Sequence, residues 1–193
     1  MATQTQVLHL GPADEGRLIS ADEFAEATYV KPWKYEREGG RLIVLAPSGE
    51  DHSSVQEPLR DYLGAYRLAH REIVDLVASE AWVRVDGGTD RIGDIGVYLV
   101  QDGPRAKVPD RVPDLIFEVV SPGKVSIERD YVLKRSEYQR LGVKEYVIVD
   151  RFHRLVTVLS ASPDGFTERT LGPDESYGSR WLPGLVIPLR DVF

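Results

Sequence analysis

Three ionisable residues stand where the surrounding pattern calls for apolar side chains: Glu118, Asp94 and Lys134. In the run Leu115 to Val120, Leu115, Phe117 and Val119 point to one face of a strand, and Ile116, Glu118 and Val120 to the other. Both faces are apolar, so this strand is expected to be buried on both sides. An ionised carboxylate in such a place is costly unless a cation or metal accompanies it. Asp94 shares a strand face with Gly96 and Tyr98, while Ile95, Val97 and Leu99 take the other. A glycine beside a carboxylate suits close approach by a ligand. Lys134 sits in the middle of the helical stripe Ile127, Tyr131, Lys134, Tyr138, Leu141, whereas a solvated lysine would lie opposite, with Arg129, Arg135 or Glu137.

Together these residues suggest one chemistry. Two carboxylates from neighbouring strands can hold Mg²⁺ or Mn²⁺ through oxygen ligands, with waters and phosphate oxygens completing the octahedron. Such a metal activates a water and neutralises charge building on a phosphoryl group, and a nearby lysine can orient or help deprotonate that water. Structural accounts compete with this reading. Glu118 would suit a buried ion pair, Asp94 an ordinary strand start, and Lys134 a snorkelling side chain or a salt bridge to Asp130. His52, ahead of the helix at Val55, and Glu36, ahead of the Gly39-Gly40 turn, are further candidates for the edge of a metal site. A surface or capping role accounts for each of those two equally well. His9, His70 and His153 show no metal-ligand spacing, Ser121-Pro122-Gly123 reads as a turn, and no Walker or Rossmann glycine loop is present.

The elements that must position these residues are legible from periodicity and punctuation. Residues 1–16 are expected to be frayed and 17–193 to form a single domain. Ser20 to Glu23 has the form of a capping box, opening a short helix that ends near Ala27. Arg41 to Leu45 is a strand, with Gly39-Gly40 as a hairpin turn before it. Val55, Leu59, Tyr62, Tyr66 and Ala69 give one apolar helix face; Pro58 means that this helix either starts there or starts by Ser54 and kinks. Strands are expected at Ala81 to Val85, Ile92 to Val100 and Leu115 to Val120, then a helix from about Ile127 to Leu141 stopped by Gly142. Glu145 to Asp150 is a further strand, and Leu155 to Leu171 a hairpin around Pro163-Asp164-Gly165. Three linked strands suggest an antiparallel meander, and a helix before the fourth requires a crossover to a parallel neighbour. The expected fold is therefore α/β (α+β), a mixed sheet with helices on its faces.

With 193 residues, 42% hydrophobic and 28% charged, the chain is an ordinary globular protein able to bury a core unaided. The absence of cysteine excludes disulfides, thiolate zinc sites and a cysteine nucleophile, and fits a reducing cytoplasm. No apolar run is long enough to cross a bilayer, and the first residues do not read as a signal peptide. A net charge of -7 argues against coating nucleic acid by bulk electrostatics, but a carboxylate site would bind phosphate through metal.

The segments "YEREGGRLIVLAPSGEDHSSV", "PDLIFEVVSP", "RDYVLKRSEYQRLGVKEYVIVD" and "LPGLVIPLRDVF" resemble the Uma-type restriction endonuclease family, formerly a domain of unknown function, within the PD-(D/E)XK nuclease superfamily. The resemblance implies a restriction-endonuclease-like core of helix, three strands, helix and strand. It implies Asp94 as the motif's first aspartate and Glu118 as its second acid. Gly93 stands where the motif has proline, and Val120 where it has lysine; Lys134, four residues before Tyr138, matches the Uma-type arrangement instead. The implied activity is metal-dependent cleavage of DNA, with Tyr138 orienting Lys134 and with Arg105, Lys107 and Arg111 as weaker candidates for phosphate contacts. One site per chain would favour a homodimer for cutting both strands. The alternative is a catalytically degenerate module that keeps the fold and binds DNA or protein, favoured by Val120.

Overall fold

The computed structural model describes residues 7–193. They form two compact units, one running to Ser48 and including Arg84–Ile92, the other comprising Gly49–Val83 and Gly93–Phe193.

In the first unit, β1 (His9–Leu10) pairs in parallel with β2 (Thr28–Tyr29), and a 3-10 turn spans Pro12–Asp14. Residues 7–16 therefore carry regular structure where fraying was expected; residues 1–6 lie outside the described residues. The short helix α1 (Ala21–Glu26) begins at the capping box, with Ser20 Oγ accepting the Glu23 amide at 3.2 Å and Glu23 accepting the Ser20 amide at 2.8 Å. Strands β3 (Lys34–Glu38) and β4 (Arg41–Leu45) form a hairpin. Its two-residue turn needs positive φ at both positions, which Gly39 (55°) and Gly40 (77°) adopt without a Cβ penalty. Arg37 of β3 pairs with Asp90 in the ladder and also holds its carboxylate at 2.7 Å, a fully buried ion pair.

The second unit contains α2 (Glu50–Ala69), β5 (Val74–Arg84), β6 (Asp90–Leu99) and β7 (Leu115–Val119), with the outermost residues of β5 and β6 lying in the first unit. Then come α3 (Lys124–Glu128), a π turn at Arg129–Leu133, α4 (Lys134–Arg140) and β8 (Glu145–Asp150). The hairpin β9 (Leu155–Ser162) and β10 (Gly165–Leu171) follows, and last the pair β11 (Ser176–Ser179) and β12 (Leu182–Pro188). Within this unit the sheet order is β10-β9-β8-β7-β6, with β5 beside β6. β7 and β8 are parallel, as the helical crossover between them requires; β6–β7, β8–β9 and β9–β10 are antiparallel.

β7 separates two apolar cores. Leu115, Phe117 and Val119 pack with Val55, Leu59 and Leu63 of α2; Ile116 and Val120 pack with Tyr138, Tyr146 and Ile148. The doubly buried strand expected from the alternation is thus present. Of the two starts allowed for α2 the earlier holds: the helix begins at Glu50 and runs through Pro58, which forfeits its own amide's bond. Two expectations need correction. The strand expected at Ala81 begins at Val74. The helix expected from Ile127 begins at Lys124 and contains the π turn, which adds residue to a turn and shifts the buried stripe. Ile127 consequently faces outward, 44% exposed, while Asp130 turns inward. Gly142, with φ of 78°, ends the helix. Among the described residues no helix is long and apolar enough to cross a membrane.

Candidate active site

The β6–β7 ladder pairs Ile95 with Phe117, Gly96 with Ile116 and Val97 with Leu115. One step further in that register, Asp94 stands opposite Glu118, and directly opposed residues of a sheet project to the same face. The Val119 amide donates to Asp94 Oδ2 at 2.9 Å, which ties the aspartate to the neighbouring strand. Lys134 enters from the helical crossover, its ammonium donating to Glu118 Oε1 at 2.7 Å and standing 3.9 Å from Asp130 Oδ1. The Tyr138 hydroxyl reaches the same Glu118 oxygen at 3.4 Å. Asp94, Glu118, Lys134 and Tyr138 are therefore gathered in one buried cluster. Tyr138 reaches the lysine's acceptor as well as sharing its helix face.

Burial pushes the Glu118 carboxyl up, to about 8, opposed by attraction to Lys134 and reinforced by repulsion from Asp94 and Asp130. Three acids are thus gathered in a setting that disfavours ionisation, two of them bracketing Lys134, with Arg129 Nε also 3.4 Å from Asp130 Oδ1.

Helix α2 supplies two further residues. His52 Nε2 lies 3.1 Å from Asp94 Oδ2, and Gln56, one turn later, donates to the Asp94 carbonyl at 3.0 Å. His52 was among the sequence candidates and Asp130 entered as a salt-bridge partner for Lys134; Gln56 was not singled out. The signal for Gln56 and Asp130 alike is helical spacing, since Gln56 follows His52 by four residues and Asp130 precedes Lys134 by four. That signal has meaning only once one member of each pair is placed.

The two glycines around Asp94 serve packing. A Cβ at Gly96 would lie 2.5 Å from Ala81 Cβ and 3.1 Å from Pro113 Cγ, so protein fills the space expected for a ligand. A Cβ at Gly93 would meet Ile116 Cγ2 at 2.8 Å, which explains a glycine at this position. The remaining candidates are elsewhere engaged. Glu36, in the first unit, is buried against Arg91 at 3.3 Å and accepts the Ile92 amide at 3.0 Å. Arg105 and Arg111 both hold Asp75, at 2.5 and 2.7 Å, and Arg111 also lies over the Tyr98 ring; Lys107 is exposed.

Residues 21–190 match the family model described as "Uma2: Putative restriction endonuclease". The chain belongs to this Uma2 family. Comparison with curated proteins finds no match. Among solved structures, the chain is similar to the crystal structure of "a putative nuclease belonging to DUF820" from Anabaena variabilis ATCC 29413, with a TM-score of 0.70 and 17% identity. The match covers 91% of this chain and 97% of that one. At this identity the likeness is one of fold. In this Uma2 chain, the order α2, β5, β6, β7, helical crossover, β8 is the core order expected of a restriction-endonuclease-like protein.

Proposed function

We propose that this chain is a divalent-metal-dependent endonuclease that hydrolyses DNA phosphodiester bonds, with residues 17–193 working as one domain. The observation that carries the reading is the convergence of Asp94, Glu118 and Lys134 from two adjacent strands and the following helix. Asp94 and Glu118 would hold Mg²⁺ or Mn²⁺. The donor set fits: hard carboxylate oxygens from two adjacent strands. That suits a cation that keeps waters and takes phosphate oxygens. Bound there, it would supply Lewis acidity toward the phosphate.

The chain's own residues do the rest. Asp94 and Glu118 aim the cation side of the site, while Tyr138 keeps a hydrogen bond on Glu118 as Lys134 turns from that carboxylate to the substrate. The Lys134 ammonium, a donor only, then orients the scissile phosphate and gives a proton to the departing ester oxygen as the water oxygen bonds to phosphorus and the P–O ester bond breaks, the attacking water's proton passing to solvent. Lys107 is the basic-loop residue best placed to meet a backbone phosphate, since Asp75 holds Arg105 and Arg111. Two copies of the chain would supply one site per strand.

Val120 favours a second reading, a module that binds DNA or protein without turnover. It occupies the superfamily's usual lysine position and is packed in the core beside Ile116 and Tyr138. Plasmid and single-stranded DNA, incubated with Mg²⁺, Mn²⁺ or chelator, separate the two. Wild type is expected to nick only with metal. Lys134→Ala should lose about 10²–10⁴-fold in rate, the worth of a positioned proton-transfer group, while still binding metal. Asp94→Asn should lose both cleavage and metal response. Absence of cleavage by wild type on every substrate, with DNA binding indifferent to metal, favours the second reading.

A further inference from the structure

We infer that His52 is a positioning residue for Asp94, acting on the carboxylate and not on the metal. The inference rests on the metal-site reading above. His52 and Gln56 lie one turn apart on α2 and grip the same residue at two points, Asp94 Oδ2 at 3.1 Å and the Asp94 carbonyl at 3.0 Å. The Val119 amide adds a second donor to Oδ2 at 2.9 Å. Donors from the helix and from the adjacent strand thus converge on one oxygen, which fixes the rotation of the carboxylate about its Cβ–Cγ bond.

The state of the imidazole follows from its partners. A carboxylate only accepts, so Nε2 carries the hydrogen. The other ring nitrogen, Nδ1, is buried with no hydrogen-bond partner among the described residues, so the ring is held through Nε2. A histidine so held is anchored through one nitrogen, as partners behind metal-binding carboxylates are, and loss of such partners typically costs about 10–100-fold in metal affinity or activity.

The experiment uses the full chain and two substitutions. His52→Gln places an amide N–H where Nε2–H stands; His52→Leu keeps bulk and removes the donor. Mn²⁺ affinity is measured by calorimetric titration of metal into protein, beside thermal melting without metal. His52→Leu should weaken Mn²⁺ binding by about 10–100-fold, and His52→Gln should recover most of that loss. Equal Mn²⁺ affinity in wild type and His52→Leu overturns the inference and leaves the metal-site reading standing. No Mn²⁺ binding by wild type overturns both. Nitrogen-15 spectra of the ring in metal-free wild type give a check independent of metal: a protonated Nε2 supports the assignment, and a bare Nε2 overturns it.

Discussion

Glu118 concentrates the conflict on which this site is built. Its strand position is that of a core residue, packed between Ile116 and Val120, and the cost of burying its charge is only partly offset by Lys134. Burial therefore pushes the Glu118 carboxyl up to about 8 in the folded protein, against an ordinary value of 4.5. Between those values the folded state binds more protons than the unfolded chain, so this group's contribution to stability is full at low pH and declines as pH rises. Glu118→Gln removes the titration. Melting curves at pH 5, 6.5 and 8 should show the variant gaining on wild type as pH increases. A difference independent of pH would mean that Lys134 keeps Glu118 ionised throughout.

At the scale of elements, the site depends on close packing of β5, β6 and β7. Gly96 lets β6 approach Ala81 and Pro113, and its register neighbours are what bring Asp94 opposite Glu118. Gly96→Ala would place a methyl group within 2.5 Å of Ala81 Cβ. Overpacking of this kind costs about 1–3 kcal/mol, so urea unfolding should show a loss in that range; an unchanged midpoint would mean that the strands separate readily. The π turn is the second device. It rotates Asp130 inward to face Lys134, and the Tyr146 hydroxyl caps the Asp130 carbonyl at 2.9 Å, anchoring the irregular turn to β8. π turns inside helices recur at functional sites, and here the turn sets which residues of the crossover meet β7.

Across the whole molecule, the net charge of -7 makes a cation the natural bridge to a polyanion. DNA binding should accordingly depend on Mg²⁺ or Mn²⁺ and weaken sharply with chelator, measured by fluorescence anisotropy at fixed ionic strength. The same ions, bound only by the native state, should raise the melting temperature in a concentration-dependent way. Asp94→Asn should abolish both effects; a variant that still responds fully would place the ions elsewhere.

Much of this is legible in the residues themselves. Alternation in Leu115–Val120 announced a strand between two cores, and the acid and lysine that broke apolar patterns are the ones that meet. Those signals are local: a strand alternates with period two and a helix with 3.6, so a misplaced charge stands out in the chain itself. The grip of α2 on Asp94, the inward turn of Asp130 and the role of Gly96 were not legible in the same way. Each depends on contacts between segments distant in sequence or on an extra residue in one helical turn, and neither leaves a periodic trace. Glu36 and the arginines of the basic loop show the converse. Their residue types suit chemistry, but tertiary structure gave them ion-pair partners, because a charge left in or near the core is stable only beside an opposite one.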